Sequence, residues 1–227
     1  MLAANGIRMP ELTDTRSRGA PARSPRKPAA SDPARTSLTP DDWIQAATDL
    51  LVDQGIDSVR VDVLSKRMGV TRGSFYWHFR DREDLLRSVL QAWRNRATEQ
   101  VTARFERDHS DPRELVHELF LLPFRGQSAE RAARIELAIR AWARRDDIAR
   151  QAVDEADASR IAYIAQVFSA LGFGIAEARQ RAFLLYAYEV AESVLRQQGS
   201  PAQKAERRAL MERLLLAPLP AEGTAPR

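Results

Sequence analysis

The sequence predicts an all-α protein: an N-terminal three-helix unit containing a helix-turn-helix, then a larger helical domain. Three observations carry this. Apolar residues recur at three- and four-residue spacing through most of the chain, and no stretch alternates with the period of two that a half-buried strand requires. Charged residues make up 29%, hydrophobic ones 44% and aromatics 7%, a mix rich in Ala, Leu, Arg and Glu that favours helices. Between Val59 and Leu86 two short helical segments meet at Met68-Gly69-Val70, the arrangement of a helix-turn-helix.

At 227 residues the chain can form one or two domains. Residues 1–37 are rich in Pro, Ala, Arg and Ser and show no periodicity. Too little apolar surface is available there to offset the entropy of ordering, so a disordered basic tail is expected. Thr39-Pro40-Asp41-Asp42 is a helix start: a hydroxyl at N-cap, proline at N1 and a carboxylate at N3. Trp43, Ala46, Ala47, Leu50 and Leu51 then give one apolar face, and Gly55 ends the helix. Val59, Val61, Leu64 and Met68 would complete a small three-helix core with Phe75 and Phe79. Gly69 stops the second helix, because glycine takes positive φ without a Cβ penalty. Thr71 can cap the third helix, in which Phe75 and Phe79 lie four apart and face the core.

A long amphipathic helix is expected from Asp81 or Arg82 to about Arg107, with Leu85, Leu86, Val89, Leu90, Trp93, Ala97, Val101 and Phe105 in helical register. Further helices are expected from Asp111-Pro112 to about Pro123, from Ser128 past Trp142, from Asp147 to Leu171, from Ala176 to Gln198 and from Ala202 to Leu216. The expected domains are therefore 38–85 for the helix-turn-helix unit and 86–217 for the helical remainder, with a Pro-rich tail over 218–227.

Arg72, Ser74, Tyr76, Trp77 and His78 occupy the faces of the third helix that Phe75 and Phe79 do not, a polar and aromatic set suited to phosphates and base edges. The run Gly69-Val70-Thr71-Arg72-Gly73-Ser74-Phe75-Tyr76-Trp77-His78-Phe79, followed by Asp81-Arg82-Glu83-Asp84-Leu85-Leu86, resembles the DNA-binding motif of the TetR family of bacterial transcriptional regulators. The resemblance covers roughly Leu38 to Leu90; beyond Arg104 it is only a shared helical character. It implies a helix-turn-helix DNA-binding domain joined to a helical ligand-binding and dimerisation domain, in a homodimeric, cytoplasmic, nucleoid-associated repressor of transcription. The implied partners are an operator of double-stranded DNA, a second copy of the chain and a partly apolar small-molecule effector.

Carried over residue by residue, the resemblance places Arg72, Gly73 and Ser74 at base edges. Tyr76 and His78 hold phosphates, Trp77 lies on sugar or a thymine methyl, and Thr71 and Arg82 clamp phosphates near helix N-termini. Arg60 stands where the family usually has a capping Ser or Thr, and can reach a phosphate instead; Ser65 stands where a small alanine is usual. The basic tail is then either an arm along DNA or a solvated extension. By the same analogy an effector pocket among the helices would draw on Trp93, Phe120, Phe124, Trp142 and Phe183, which plain helix packing explains equally well. Glu136 and Arg140, one turn apart among apolar residues, are either polar anchors for a ligand or a helical ion pair.

Net charge is +4 with a pI near 9.8, mildly favouring a polyanionic partner. Absence of cysteine excludes disulfides and thiolate chemistry. His109 and His117 have no partners at metal-ligand spacing, and neither a Gly-rich phosphate loop nor a nucleophile elbow occurs, so neither enzyme nor cofactor is expected. No run approaches the ~18 apolar residues of a membrane span. The competing reading is a helical small-molecule-binding or scaffold protein whose head no longer binds operator.

Overall fold

The computed structural model describes residues 38–218; the tail expected over 1–37 and the last nine residues lie outside the described residues. All regular structure among the described residues is helical. The head consists of α1 (Pro40–Gln54), α2 (Val61–Met68) and α3 (Arg72–Tyr76). Thr39 and Asp42 form a reciprocal capping box at the start of α1, the Thr39 backbone N–H donating to Asp42 Oδ2 at 2.7 Å. The Thr39 bonds hold the Asp42 carboxyl below its ordinary pKa, with a smaller contribution from the charge of His78. Gly69 closes α2 at φ +67°, with nested bonds from Val70 N–H to the Ser65 carbonyl and from Gly69 N–H to the Lys66 carbonyl.

Phe75 is the keystone of the head. Its ring meets Trp43 edge-on at 5.4 Å and stacks on Phe79 at 5.5 Å, and it is sealed from solvent together with Trp43, Val59 and Leu64. The helix Thr71–Phe79 expected from sequence is shorter in fact. α3 ends at Tyr76, and Trp77 and His78 continue as turns that keep Phe79 bonded to the Phe75 carbonyl.

The expected long helix runs from Arg82 to Asp108 but is not uniform: α4 (Arg82–Arg94) passes through a π turn, Asn95–Glu99, into α5 (Gln100–Asp108). The apolar positions Trp93, Ala97, Val101 and Phe105 are spaced by fours, which on a regular helix drifts by about 40° per step. A wider i→i+5 turn offsets that drift and keeps them on the packed side. α6 (Pro112–Leu121) and α7 (Gly126–Ala143) follow, α7 starting two residues earlier than the sequence indicates. α8 (Asp147–Ala170) and α9 (Ile175–Val194) pack along each other, and α10 (Pro201–Leu216) closes the chain. α9 stops short of the expected Gln198, because the chain turns at Leu195 and the Arg196 side chain reaches back to the Pro123 carbonyl at 3.4 Å.

Two apolar clusters result. The first joins the head to α4, to Ile139, Trp142 and Ala143 of α7, and to Ala149, Val153 and Ala156 of α8. The second contains Phe105, Phe120, Ile164, Phe168, Leu185 and their neighbours on α5, α6, α8, α9 and α10. The three-helix head therefore has no separate core: its apolar interior runs on into the first half of α8.

Ser65 is buried in the head and its hydroxyl has no hydrogen-bond partner among the described residues. Ser65→Ala removes a desolvated donor at almost no cost in volume, so it should raise stability by about 1 kcal/mol in denaturant unfolding. Destabilisation would show that the hydroxyl is bonded in solution.

Candidate functional site

The outer side of the head carries side chains that packing does not use. Tyr76 is 60% and Trp77 87% exposed, although both flank the fully buried Phe75. Arg72 and Gly73 are exposed beside them, and Ser74 is half-buried at the start of α3. A large aromatic left in water next to a sealed core is an apolar surface with no partner among the described residues. His78 is half-buried and lies near enough to Asp42 for its charge to act there. Arg80, which the sequence reading passed over, is an exposed cation next to this group, 3.5 Å from Asp84.

Three of the expected phosphate contacts are arranged differently. Thr71 sits at the N-cap of α3 but its side chain makes no capping bond, leaving the hydroxyl uncommitted. Arg60 occupies the N-cap of α2 and makes no cap either; it forks onto Asp62 at 2.9 and 3.2 Å. Arg82 is a strut. Its guanidinium donates to the Val59 carbonyl at 2.5 Å and to the Ile56 carbonyl at 2.9 Å, tying the start of α4 to the turn before α2. Ile56 opens a 3₁₀ turn, Ile56–Ser58, and its carbonyl also accepts from the Val59 backbone N–H at 3.1 Å, whereas the Val59 carbonyl at the exit of the turn takes Arg82 as its donor.

In the helical remainder a cavity of about 350 Å³ opens between α5, α7, α8 and α9. Ala97, Val101, Phe105, Leu119, Ile164 and Val190 give it apolar walls, while Glu136, Arg140, Arg160, Tyr186 and Glu189 bring polar groups to it. Four of these five belong to one network that Asp157 completes. Arg140 holds Asp157 through two bonds at 2.6 and 3.0 Å and Glu136 at 2.9 Å. Arg160 holds both Glu136 oxygens at 3.1 and 3.2 Å and the Thr98 hydroxyl at 3.0 Å. Tyr186 donates to Asp157 at 2.6 Å and accepts from each arginine at 2.9 Å, and the Trp93 indole N–H donates to Glu136 at 3.1 Å.

Burial by itself would lower the pKa of both arginines, but the paired carboxylates and Tyr186 raise them, so both stay charged. Burial raises the Tyr186 phenol, Arg160 opposes that, and the bond to Asp157 adds to it, so it stays a neutral donor. Glu189 stands apart: burial pushes its carboxyl up to about 8, its Oε1 has no partner, and only the charge of Arg160 opposes the shift.

The aromatic residues expected around a ligand do not line this cavity. Trp93 lies one layer behind it, bonded to Glu136 and under the guanidinium of Arg160 at 5.4 Å. Phe120 and Trp142 are core residues of the second and first clusters, Phe124 lies under Arg208 on the α10 side, and Phe183 is 58% exposed on the outer face of α9. Phe105, Tyr163 and Tyr186 line it instead. Glu136 and Arg140 form the helical ion pair, and both lie in the cavity wall. The signal that finds this site in the sequence is charge inside an apolar register. Arg160 falls in the series Val153, Ala156, Arg160, Ile164, Phe168, and Glu189 in the series Ala182, Leu185, Glu189.

The structure thus defines an all-helical protein with a helix-turn-helix head bearing exposed aromatic and basic residues, above a core with a ligand-sized cavity. Residues 44–89, from α1 into α4, match the model of bacterial regulatory proteins of the tetR family. Over 57 residues the chain is 40% identical to the tetracycline repressor protein class A from transposon 1721 of Escherichia coli, covering 25% of this chain and 26% of that repressor, so the match spans about a quarter of either protein. The fold continues beyond the head. A Saccharomonospora viridis protein described as a transcriptional regulator, solved with choline, superposes with a TM-score of 0.63 at 17% identity, over 78% of this chain and 94% of that one. The transcriptional regulator FadR of Bacillus subtilis, solved with stearoyl-CoA, gives 0.55 at 19% identity, over 77% and 96%.

Arg82→Ala should lower the stability of the protein by about 1–2 kcal/mol through loss of two charge-assisted bonds, whereas Arg72→Ala should leave it unchanged. Urea unfolding of the two variants without DNA distinguishes a strut from a contact: equal midpoints would return Arg82 to the DNA-binding set alone.

Proposed function

We propose that the chain is a DNA-binding transcriptional regulator that acts as a homodimer on a palindromic operator and answers to a small molecule held in the cavity, with repression as its basal action. The observation that carries this reading is the outward face of the head: Arg72, Tyr76 and Trp77 exposed on a rigidly backed α3, within the segment that matches the family. An arginine at such a position can fork onto guanine O6 and N7. Thr71, Gly73, Ser74, Tyr76, His78 and the free side of Arg60 would supply the surrounding sugar and phosphate contacts, which fix register without carrying sequence information.

Dimerisation is supported by α9. Phe183 and Leu184 are 58% and 50% exposed, and Ala187, Ala191, Val194 and Leu195 continue the same outward stripe at helical spacing. Small and apolar residues repeated in this way suit a four-helix interface made by α8 and α9 of two chains. Two heads related by that axis would meet successive major grooves about 34–36 Å apart.

The effector reading rests on the cavity and on what surrounds it. A ligand there would touch Ala97 and Thr98 in the π turn together with Glu136, Arg140 and Arg160. Glu136 is bonded to Trp93 at the end of α4, which begins at Arg82 in the head. A ligand that favours one arrangement of this network favours one position of α4, and it can shift the equilibrium only by its difference in affinity for the two states. Two proteins that share the fold were solved in complex with unlike small molecules, one with choline and the other with stearoyl-CoA, which supports an effector reading without naming the effector.

Selection of bound sequences from random duplex DNA at physiological salt should enrich a palindrome. Arg72→Ala should then lose about 1–3 kcal/mol of preference at one base pair of each half-site, while Tyr76→Phe weakens all sequences alike. Steeply salt-dependent binding with no enriched motif would instead favour a helical binding protein whose head has lost its operator. Leu184→Asp should convert the dimer to a monomer in light scattering; an unchanged dimer would move the interface away from α9.

A further inference from the structure

The cavity holds more polar groups than its walls can satisfy. Glu136, Arg140, Asp157, Arg160 and Tyr186 satisfy one another, two guanidinium groups against two carboxylates. Arg125, at the rim, is paired with Glu118. Two side-chain oxygens in the same cavity wall are left over: Oε1 of Glu189 on α9 and the hydroxyl of Tyr163 on α8, both inaccessible to solvent and both without a hydrogen-bond partner among the described residues. No arginine, lysine or histidine among the described residues lies within salt-bridge distance of Glu189.

Glu189 as a whole is half-buried, but leaving its inner oxygen both dry and unpaired is costly, and native interiors rarely do it without a function for the site. Building on the reading of this cavity as an effector site, we propose that it takes an organic cation with a compact apolar body, an amine or quaternary ammonium compound, with Glu189 as its counter-ion. Val101, Phe105, Leu119 and Ile164 bury the apolar body, and the ring of Tyr163 offers the cation a π face as well as a hydroxyl. An anionic guest fits less well. Among the described residues, the cations that border the cavity without a carboxylate partner are Arg96, which is exposed, and Arg104, which is half-buried over the Phe105 ring; the two inner guanidinium groups are committed to Glu136 and Asp157.

The charge balance has a pH signature. The titratable and charged groups sharing the cavity with Glu189 are Glu136 and Arg140 on α7, Arg160 and Tyr163 on α8, Tyr186 on its own helix, and Arg96, Arg104 and Arg125 at the rim. Of these, Arg160 is the one whose charge acts on it, and burial outweighs that charge and raises the carboxyl to about 8. Below that pH the group is mostly protonated and neutral. A permanent cation needs it ionised, so binding releases a proton and tightens as pH rises through 8, levelling off above. For a single group of that pKa the gain between pH 7 and pH 9 is about tenfold.

Titration calorimetry on the full chain with hexyltrimethylammonium, octanoate and 1-octanol tests this. The expected result is preferential binding of the cation, about tenfold tightening between pH 7 and pH 9, and a loss of tenfold or more in Glu189→Gln with the pH dependence abolished. The pH series uses the unmodified chain, so the test survives a variant that fails to fold. Tighter binding of octanoate or octanol, or a cation affinity indifferent to both pH and Glu189→Gln, overturns the cation assignment and leaves the effector cavity standing. Failure of all three compounds to bind at millimolar concentration overturns both.

Discussion

The interaction on which the rest of the structure depends is the network of Arg140, Arg160, Glu136 and Asp157, gathered around the Tyr186 hydroxyl. Burying two guanidinium groups and two carboxylates is expensive, and the expense is offset only if geometry is good and nearly every donor finds an acceptor. Here it is: the arginines fork onto their carboxylates, and the one phenol between them donates once and accepts twice. The network also lies at a particular place. It separates the apolar cluster that includes the head from the cluster built on α5, α6 and α9, and α8 crosses from one to the other between Ala156 and Ile164 with Asp157 and Arg160 at the crossing. Apolar packing on either side is non-directional, so it is the hydrogen bonds at this seam that fix how the two halves meet.

The π turn belongs to the same seam. Thr98, inside it, accepts from Arg160, and Trp93, just before it, donates to Glu136. The long helix therefore changes its winding where it touches the network and is regular where it touches apolar neighbours only. π turns recur at functional sites because one loosened turn can be rewound at modest cost, whereas a regular helix moves as a rod. The head itself has little freedom. Its interior is continuous with Ile139, Trp142 and Val153, and Arg82 pins the entrance of α4 to the carbonyls of Ile56 and Val59.

What the sequence makes legible follows from the same physics. Local signals are read directly: the Thr39–Asp42 capping box, Gly55 and Gly69 at positive φ, and Phe75 and Phe79 inward with Tyr76 and Trp77 outward all depend on residues within one or two turns. Helix existence and order are legible for the same reason, since a three- to four-residue apolar period survives without knowledge of the partner. The role of Arg82 is not, because its acceptors lie 23 and 26 residues away and are backbone carbonyls that have no sequence signature. The ligand set is illegible for a different reason. Aromatic residues are chosen by sequence as pocket candidates because they are large, yet size is what sends Phe120 and Trp142 into the dry cores. The cavity forms where the wall residues are charged or small, and charges in an apolar register, Arg160 and Glu189, mark it better than aromatics do.

That contrast bears on how such a core can serve a switch. A cavity lined only by apolar residues could bind many guests but would distinguish poorly between two arrangements of the helices, because dispersion and desolvation change little when apolar walls slide. A cavity sharing its wall with a charge-balanced network is different. Moving Arg160 or Glu136 by an ångström exchanges short charge-assisted bonds for unsatisfied buried groups, so the network has discrete arrangements rather than a continuum. A guest that brings charge to Glu189 also changes the field at Arg160, the one cation that acts on it, and Arg160 holds Thr98 in the π turn. The path from cavity to head is short: the charge of Arg160 acts on Glu189 through space, Arg160 is bonded to Thr98 and Glu136, Glu136 to Trp93, and α4 runs from Trp93 back to Arg82. The bonded steps in the middle of that path are pairings that a different arrangement of the helices would break, which sliding apolar walls would not register.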